Sequence, residues 1–416
     1  MHLSIAQSDL SKGIETVLDI VPSRVALPIL SNILLEASMP EQPDEQGRLT
    51  FSATDLDISI RTSLPADVAA AGSVTVPARK FAEIIRQLSD FRLSLRLLDK
   101  RLTIETSSAE DHSEEQPGPS EGFYSLSGTS PEDFPTLPLS IQGTTIPFDP
   151  GGDDTDKPVE YLTGSDFRRI VSKVVFAVSQ DEARPALGGV FWQITSERFT
   201  LVATDGHRLV KVSRSIHSGD QAADESEDAP SPQTTEAILP PKALNHLLKL
   251  ISAGAELRRV TLGENHVLFD LGNTLLFSRL IEGPYVDYEQ VIPTSNDKKL
   301  IISNQLLAPA IRRVSTLSSS HTHQIRLSVS TNHLQLSATS QEIGGEARET
   351  LPATYSDEDL DLGYNANYLL EILRRMDSDD VIFEFSSPVS AALVRPSALP
   401  EGEEYVCLLM PLRLTD

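Results

Sequence analysis

The residues with the most chemistry per unit length are Asp205-Gly206-His207-Arg208, a carboxylate, an imidazole and a guanidinium within four positions. Together they could form an acid–base cluster acting on a polyanion, which would make the chain a three-domain enzyme with its site at this turn. The flanking pattern favours a different reading. Apolar residues alternate through Phe199-Thr200-Leu201-Val202-Ala203-Thr204, break at Asp205-Gly206 and resume at Leu209-Val210, so the four residues are a tight turn between two strands. In such a hairpin Asp205 serves the turn, and His207 on the next strand need not converge with it. Other catalytic signatures are missing. Gly151-Gly152, Gly188-Gly189 and Gly344-Gly345 form neither a phosphate loop nor a dinucleotide fingerprint, and there is no nucleophile elbow or His-Glu-x-x-His. Cys407 is the only cysteine, which excludes an intrachain disulfide and a cysteine metal cluster and fits a reducing cytoplasm. No catalytic residue, metal or cofactor is expected.

A second kind of chemistry lies in the basic residues. The chain has a net charge of −25, which at first argues against nucleic acid. Three Pro-, Gly-, Ser- or Gln-rich segments, 109–121, 149–160 and 218–236, carry −15 of it and read as solvated loops. The expected helices run the other way. Arg79, Lys80 and Arg86 oppose Glu83 over 78–88; Arg168, Arg169 and Lys173 oppose Asp166 over 165–178. Lys242 and Lys249 (242–250) and Arg312 and Arg313 (304–317) have no acid beside them, and Arg374 and Arg375 oppose Glu371 over 365–376. Only the helix opening at Ser8-Asp9-Leu10 is not positive. Helices gathered on one surface would hold a phosphate backbone without reading bases.

The elements that position these residues recur. The strand phrase ending Ala203-Thr204-Asp205 has relatives in Ala53-Thr54-Asp55 and Ala338-Thr339-Ser340. From the start of the preceding helix to each Ala-Thr is 45, 38 and about 34 residues, and a second helix follows each hairpin. The expected fold class is α+β: three repeated domains, each antiparallel sheet with two helices on one face, at 1–141, 158–294 and 295–416, with an acidic linker at 142–157. No apolar run is long enough to span a membrane, and the N-terminus lacks the basic and apolar regions of a secretory signal.

With that organisation in view, the chain resembles the bacterial DNA sliding clamps, the beta subunit of DNA polymerase III. The matching phrases are Arg24…Leu27-Pro28-Ile29-Leu30-Ser31-Asn32, Val76-Pro77-Ala78-Arg79-Lys80-Phe81, Asp133-Phe134-Pro135, Ala203-Thr204-Asp205-Gly206-His207-Arg208-Leu209 and Met410-Pro411-Leu412-Arg413-Leu414, in family order. The resemblance implies a non-enzymatic processivity factor. Two chains would join head to tail as a homodimeric ring, encircle double-stranded DNA without sequence preference, and tether polymerases to it. Implied partners are the DNA polymerase III alpha subunit, the clamp loader, and other clamp-binding-motif proteins such as translesion polymerases, mismatch repair proteins and ligase. No membrane partner is implied, and the location would be cytoplasmic.

By the same resemblance, Arg24, Arg79, Lys80, Arg86, Arg168, Arg169, Lys173 and Lys242 would face DNA. The partner-peptide pocket would comprise Leu187, Thr204, Gly206, His207, Arg208, Leu209, Val286, Val291, Asn365, Tyr368, Val389, Met410, Pro411, Leu412 and Arg413, with His207, Arg208 and Arg413 at its rim. Tyr124 and Leu126 of one chain would meet Thr316 and Leu317 of the other, joining two exposed strand edges. The chain departs from the family pattern at Pro185-Ala186, at Gln290 in place of an arginine, and at Thr322 in place of a bulky residue.

Overall fold

The computed structural model describes residues 1–24, 27–40, 42, 45–89, 91–106, 122–138, 140–148, 162–195, 197–216, 234–340 and 344–414. The acidic segments 109–121 and 149–160, and 218–236 up to residue 233, lie outside the described residues. Six helices match the expected ones within a few residues: α1 Gln7–Leu18, α2 Ala78–Gln87, α3 Gly164–Val174, α4 Pro241–Ser252, α5 Asn304–Ser315 and α6 Ala366–Leu373. By contact density the chain forms two compact units, 1–152 with 245–280, and 153–244 with 281–416.

The first unit holds two antiparallel sheets. The smaller runs in the order Asp67–Ala70, His2–Ala6, Arg92–Leu98, Arg101–Thr106, Gly122–Ser127. The larger has eight strands: Thr144–Pro147, Arg259–Leu262, His266–Asp270, Thr274–Arg279, Ile58–Pro65, Arg48–Thr54, Asn32–Ser38, Gly72–Pro77. Helix α1 buries Leu10, Ile14 and Val17, spaced for one helical face, and α2 buries Phe81, Ala82 and Ile85. Gly13 on α1 is where the edge of Phe51 sits: a Cβ there would lie 2.5 Å from the ring.

The structure departs from the sequence expectation in its sheet pairing. The large sheet crosses from the first repeat into the middle one, because Thr274–Arg279 pairs with Ile58–Pro65 in the register Thr274↔Thr62 through Ser278↔Ile58. The compact units therefore divide the middle repeat instead of coinciding with the repeats. Thr144–Pro147, inside the stretch read as linker, is a strand pairing with Arg259–Leu262. Pro28–Ser31 and Pro185–Gly188 are 3₁₀ turns with proline first, each leading into a strand of its sheet.

The second unit repeats the logic. Its eight-stranded sheet runs Thr235–Leu239, Val190–Ile194, Arg198–Thr204, Arg208–Ser215, Glu403–Leu409, Ala392–Pro396, Asp380–Phe385, Lys298–Ser303. A four-stranded sheet runs Gly345–Pro352, His333–Ser340, Gln324–Ser330, Leu360–Asn365. Phe167 of α3 meets Trp192 edge-on at 5.5 Å, and Trp192 meets Phe199 at 5.0 Å, so aromatic packing ties α3 to the hairpin sheet. The opposite side of the sheet carries Phe191, Val202, Leu209, Leu393 and Leu408 in one buried cluster, with Tyr288 packed on it.

Candidate functional site

The turn at 204–208 is built by its own side chains. Thr204 Oγ1 accepts from the Gly206 amide (3.1 Å) and donates to the Arg208 carbonyl (2.7 Å). Asp205 Oδ1 accepts from the amides of His207 (2.9 Å) and Arg208 (3.0 Å), and Oδ2 takes Arg208 Nε at 3.1 Å. Gly206 has φ +89°, a left-handed conformation natural to glycine. Residues 54–58 repeat the same bonds: Thr54 Oγ1 with Leu56 and Ile58, and Asp55 Oδ1 with Asp57 and Ile58, with Leu56 forced to φ +81°. Asp205 is therefore a turn-forming residue, as its sequence context indicated.

Arg208 departs from expectation. The resemblance put it at the rim; it is instead buried, with 6% exposure. Its Nη1 pairs with Glu371, its Nη2 donates to the Phe176 carbonyl at 3.2 Å, and its guanidinium lies between the rings of Phe176 (5.0 Å) and Tyr368 (4.6 Å). A charge taken from water needs such partners, and Arg208 is occupied by them. His207 stays exposed and stacks on the other side chain of the pair, Tyr368, at 6.1 Å and 20°. Asn365 caps α6, its Oδ1 accepting from the amides of Asn367 (2.9 Å) and Tyr368 (3.4 Å), which fixes the root of the Tyr368 side chain.

The other expected pocket residues converge on the same end of the sheet. The register pairs Thr204 with Leu209, Arg208 with Leu409, and Leu409 with Ala392, so Met410 just past Leu409 lies beside the turn and Val389, in the turn before Ala392, lies at the same end of the sheet. The tail is strapped down by Met410 N to the His207 carbonyl (2.9 Å), Leu412 N to the Gly363 carbonyl (2.7 Å) and Gln324 Nε2 to the Arg413 carbonyl (3.2 Å). Pro411 and Leu412 are half-buried and Arg413 is exposed. Leu187 is buried in its 3₁₀ turn, its carbonyl accepting from the Ser179 amide at 2.8 Å. Residues 281–293 cross the apolar cluster: Tyr285 stacks on Phe191 at 4.9 Å and donates to the Val202 carbonyl at 3.4 Å. Val286, Val291, Val389 and Met410 are left 45%, 56%, 71% and 42% exposed. An exposed apolar surface edged by a histidine and an arginine suits an apolar peptide. Sequence reading missed Phe176, Tyr285, Tyr288 and Glu371; the paired tyrosines in Pro284-Tyr285-Val286-Asp287-Tyr288 were the available signal.

The basic residues divide. In the first unit Arg24 is exposed, Arg79 is exposed with Nη2 on the Val21 carbonyl (3.2 Å), Lys80 pairs with Glu83 (2.7 Å) and Arg86 with Glu15 (3.3 Å). In the second unit Arg168 is exposed with no ion pair among the described residues, and Lys242 is exposed. Arg169 and Lys173 require correction as phosphate-facing residues. Both nitrogens of the Arg169 fork meet Glu403 (2.7 and 2.5 Å), and Lys173, 2% exposed, reaches Glu403 at 3.2 Å and Asp377 at 2.9 Å, with its ammonium 4.9 Å from the Tyr405 ring centre. Burial alone would raise the Glu403 carboxyl, but the Arg169 hydrogen bonds and the charges of Lys173 and Arg169 hold it below the usual carboxylate range.

The expected interface residues sit at sheet edges. Tyr124 and Leu126 lie on Gly122–Ser127, which pairs only with Arg101–Thr106 among the described strands. Thr316 is exposed and Leu317 half-buried beyond α5, where Leu317 packs on Gly345 at the start of the edge strand Gly345–Pro352. Phe123, not anticipated, is 65% exposed on the first of these edges. Among the described residues no His, Cys, Asp or Glu group could hold a metal ion, and no helix is long and apolar enough to cross a membrane.

Comparison with known proteins establishes the family. The models of the N-terminal, central and C-terminal domains of the DNA polymerase III beta subunit match residues 1–138, 161–287 and 289–413. The chain is 30% identical to the beta sliding clamp of Caulobacter vibrioides and 28% identical to that of Pseudomonas aeruginosa, each match covering all of both chains. The crystal structure of the Pseudomonas aeruginosa DnaN sliding clamp bound to griselimycin superposes with a TM-score of 0.82 at 28% identity, and a Caulobacter crescentus beta sliding clamp with 0.81 at 30%, both over the full length of both chains. The fold is α+β with three clamp domains, and the chain belongs to the DNA polymerase III beta subunit family, the beta sliding clamps, which act in DNA replication as processivity factors and not as enzymes.

Proposed function

We propose that two copies of this chain close head to tail into a ring around duplex DNA and dock replication proteins on the surface around His207 and Tyr368. The observation that supports the docking reading is that Val286, Val291, Val389 and Met410 are left exposed, with Met410 bonded through its amide to the turn that Asp205 and Arg208 brace. The pocket comprises these residues with Leu187, Thr204, Gly206, Leu209, Asn365, Pro411, Leu412 and Arg413. Its occupants are apolar peptide segments of the DNA polymerase III alpha subunit, the clamp loader, translesion polymerases, mismatch repair proteins and ligase, met in the cytoplasm.

Arg24, Arg79, Lys80, Arg86, Arg168 and Lys242 face the DNA and hold it through many weak, sequence-independent phosphate contacts, the kind that permit sliding. Ring closure joins the edge Gly122–Ser127 of one copy, with Tyr124 and Leu126, to the other copy near Thr316 and Leu317. Domain boundaries follow the repeats at 1–141, 158–294 and 295–416, with the acidic segment 142–157 between the first two, its Thr144–Pro147 paired into a sheet. Topology provides the test: a ring loaded on nicked circular DNA stays bound and slides off once the circle is cut to a linear form. Release at the same rate from circle and linear DNA rejects the ring.

A further inference from the structure

The docking surface has a charged side that the pocket residues do not describe. Residues 281–293 turn Tyr285 and Tyr288 inward onto the apolar cluster and leave Val286 and Val291 exposed. Interleaved with those valines are Glu282, Asp287 and Glu289, all exposed, and the stretch contains no lysine or arginine. Compensation is slight. Lys211 stands 3.9 Å from Glu289, at the long limit of an ion pair, and lies over the Tyr288 ring at 5.5 Å. Asp287 is met by the neutral amide of Gln290 at 2.6 Å. The negative field registers on Tyr288, whose hydroxyl is pushed up to about 12, first by burial and then by Glu289, Glu236 and Asp287.

We propose that this ledge selects partner segments carrying lysine or arginine beside their apolar residues and disfavours segments with acidic flanks. The inference rests on the peptide-docking reading of the pocket and adds to it a charge preference. The valines supply apolar area in either case; the acids beside them set which flank is attracted and which is repelled. Because Glu282, Asp287 and Glu289 are exposed, the preference is a steering effect that salt screens.

The test uses the full-length protein and three short labelled peptides with one Leu- and Phe-containing core and lysine, serine or glutamate flanks. At low salt the lysine-flanked peptide is expected to bind about tenfold tighter than the glutamate-flanked one, the order of effect charge complementarity gives at an exposed rim. High salt, or the Asp287→Asn and Glu289→Gln double variant with its unchanged thermal midpoint, closes most of that gap. Equal affinities at low salt overturn the charge preference and leave the pocket standing. If none of the peptides binds, or if removing residues 410–414 leaves lysine-flanked binding intact, the pocket reading itself is overturned and this inference with it.

Discussion

Arg208 and Glu371 form an ion pair that joins the turn after Arg198–Thr204 to α6, and the same guanidinium is stacked between Phe176 and Tyr368. Arg208 thereby supports the pocket from beneath. Arg208→Ala takes the guanidinium from Asp205 Oδ2, whose carboxylate keeps only the two turn amides on Oδ1, and frees one face of the Tyr368 ring. It is expected to cost about 3 kcal/mol, the low end for breaking a buried pair because Glu371 keeps half its contact with water. Glu371→Gln, at an exposed carboxylate, costs under about 1 kcal/mol. Urea unfolding of the two variants checks the asymmetry; equal costs would mean that the stacking and the Phe176 carbonyl contribute nothing beyond the ion pair.

Glu403 gathers Arg169 and Lys173 in the interior of the second unit. Its folded carboxyl titrates below the ordinary value of 4.5, so ionisation favours the folded state. That contribution is complete above the ordinary carboxylate range and is lost as pH falls through the lower folded value. Glu403→Gln leaves two cations short of their counter-charge and is expected to cost about 3–5 kcal/mol at neutral pH. The gap between parent and variant should narrow in denaturant titrations run in acid. A gap that stays constant with pH would assign the loss to packing.

Arg168 and Arg169 are neighbours on α3 with opposite surroundings, and reversing each should separate two effects. Arg168→Glu is expected to leave the thermal midpoint in place, weaken clamp retention on DNA and lower the slope of log K against log salt by about 1. Arg169→Glu sets a third carboxylate beside Glu403 and Asp166, so its signature is lost stability. Salt-dependent retention assays beside melting curves distinguish the two. An unchanged slope for Arg168→Glu would remove it from the DNA-facing set.

The helix charges illustrate how far the sequence could be read. The repeat was visible because Thr54-Asp55 and Thr204-Asp205 are local devices: each threonine and aspartate bonds to amides within four residues, and nothing distant is needed. Helix positions were visible for the same reason. The fate of Lys173 was not, since its partner Glu403 lies 230 residues away and charge counting along α3 cannot say which of its basic residues turns inward. Nor was the pairing of Thr274–Arg279 with Ile58–Pro65, a junction of two repeats that each carry their own strand pattern. Long-range pairing carries no local signal, and both errors have that origin.

The tail at 410–414 supplies the last prediction. Leu412 donates to the Gly363 carbonyl, and the Leu412 carbonyl lies so close to Gly363 that an added Cβ would sit 2.6 Å from it. Gly363→Ala therefore pushes the tail off its strand while the strand's own register with Gln324–Ser330, Arg326↔Gly363, is unaffected. Peptide affinity is expected to fall about tenfold or more, as for loss of a central contact, with the dimer intact by sedimentation. Deleting residues 410–414 should reproduce the loss in full. If Gly363→Ala binds peptides as the parent does, the tail is not held by this contact, and the Met410 amide on the His207 carbonyl, with the Gln324 side-chain amide on the Arg413 carbonyl, carries the wall of the pocket.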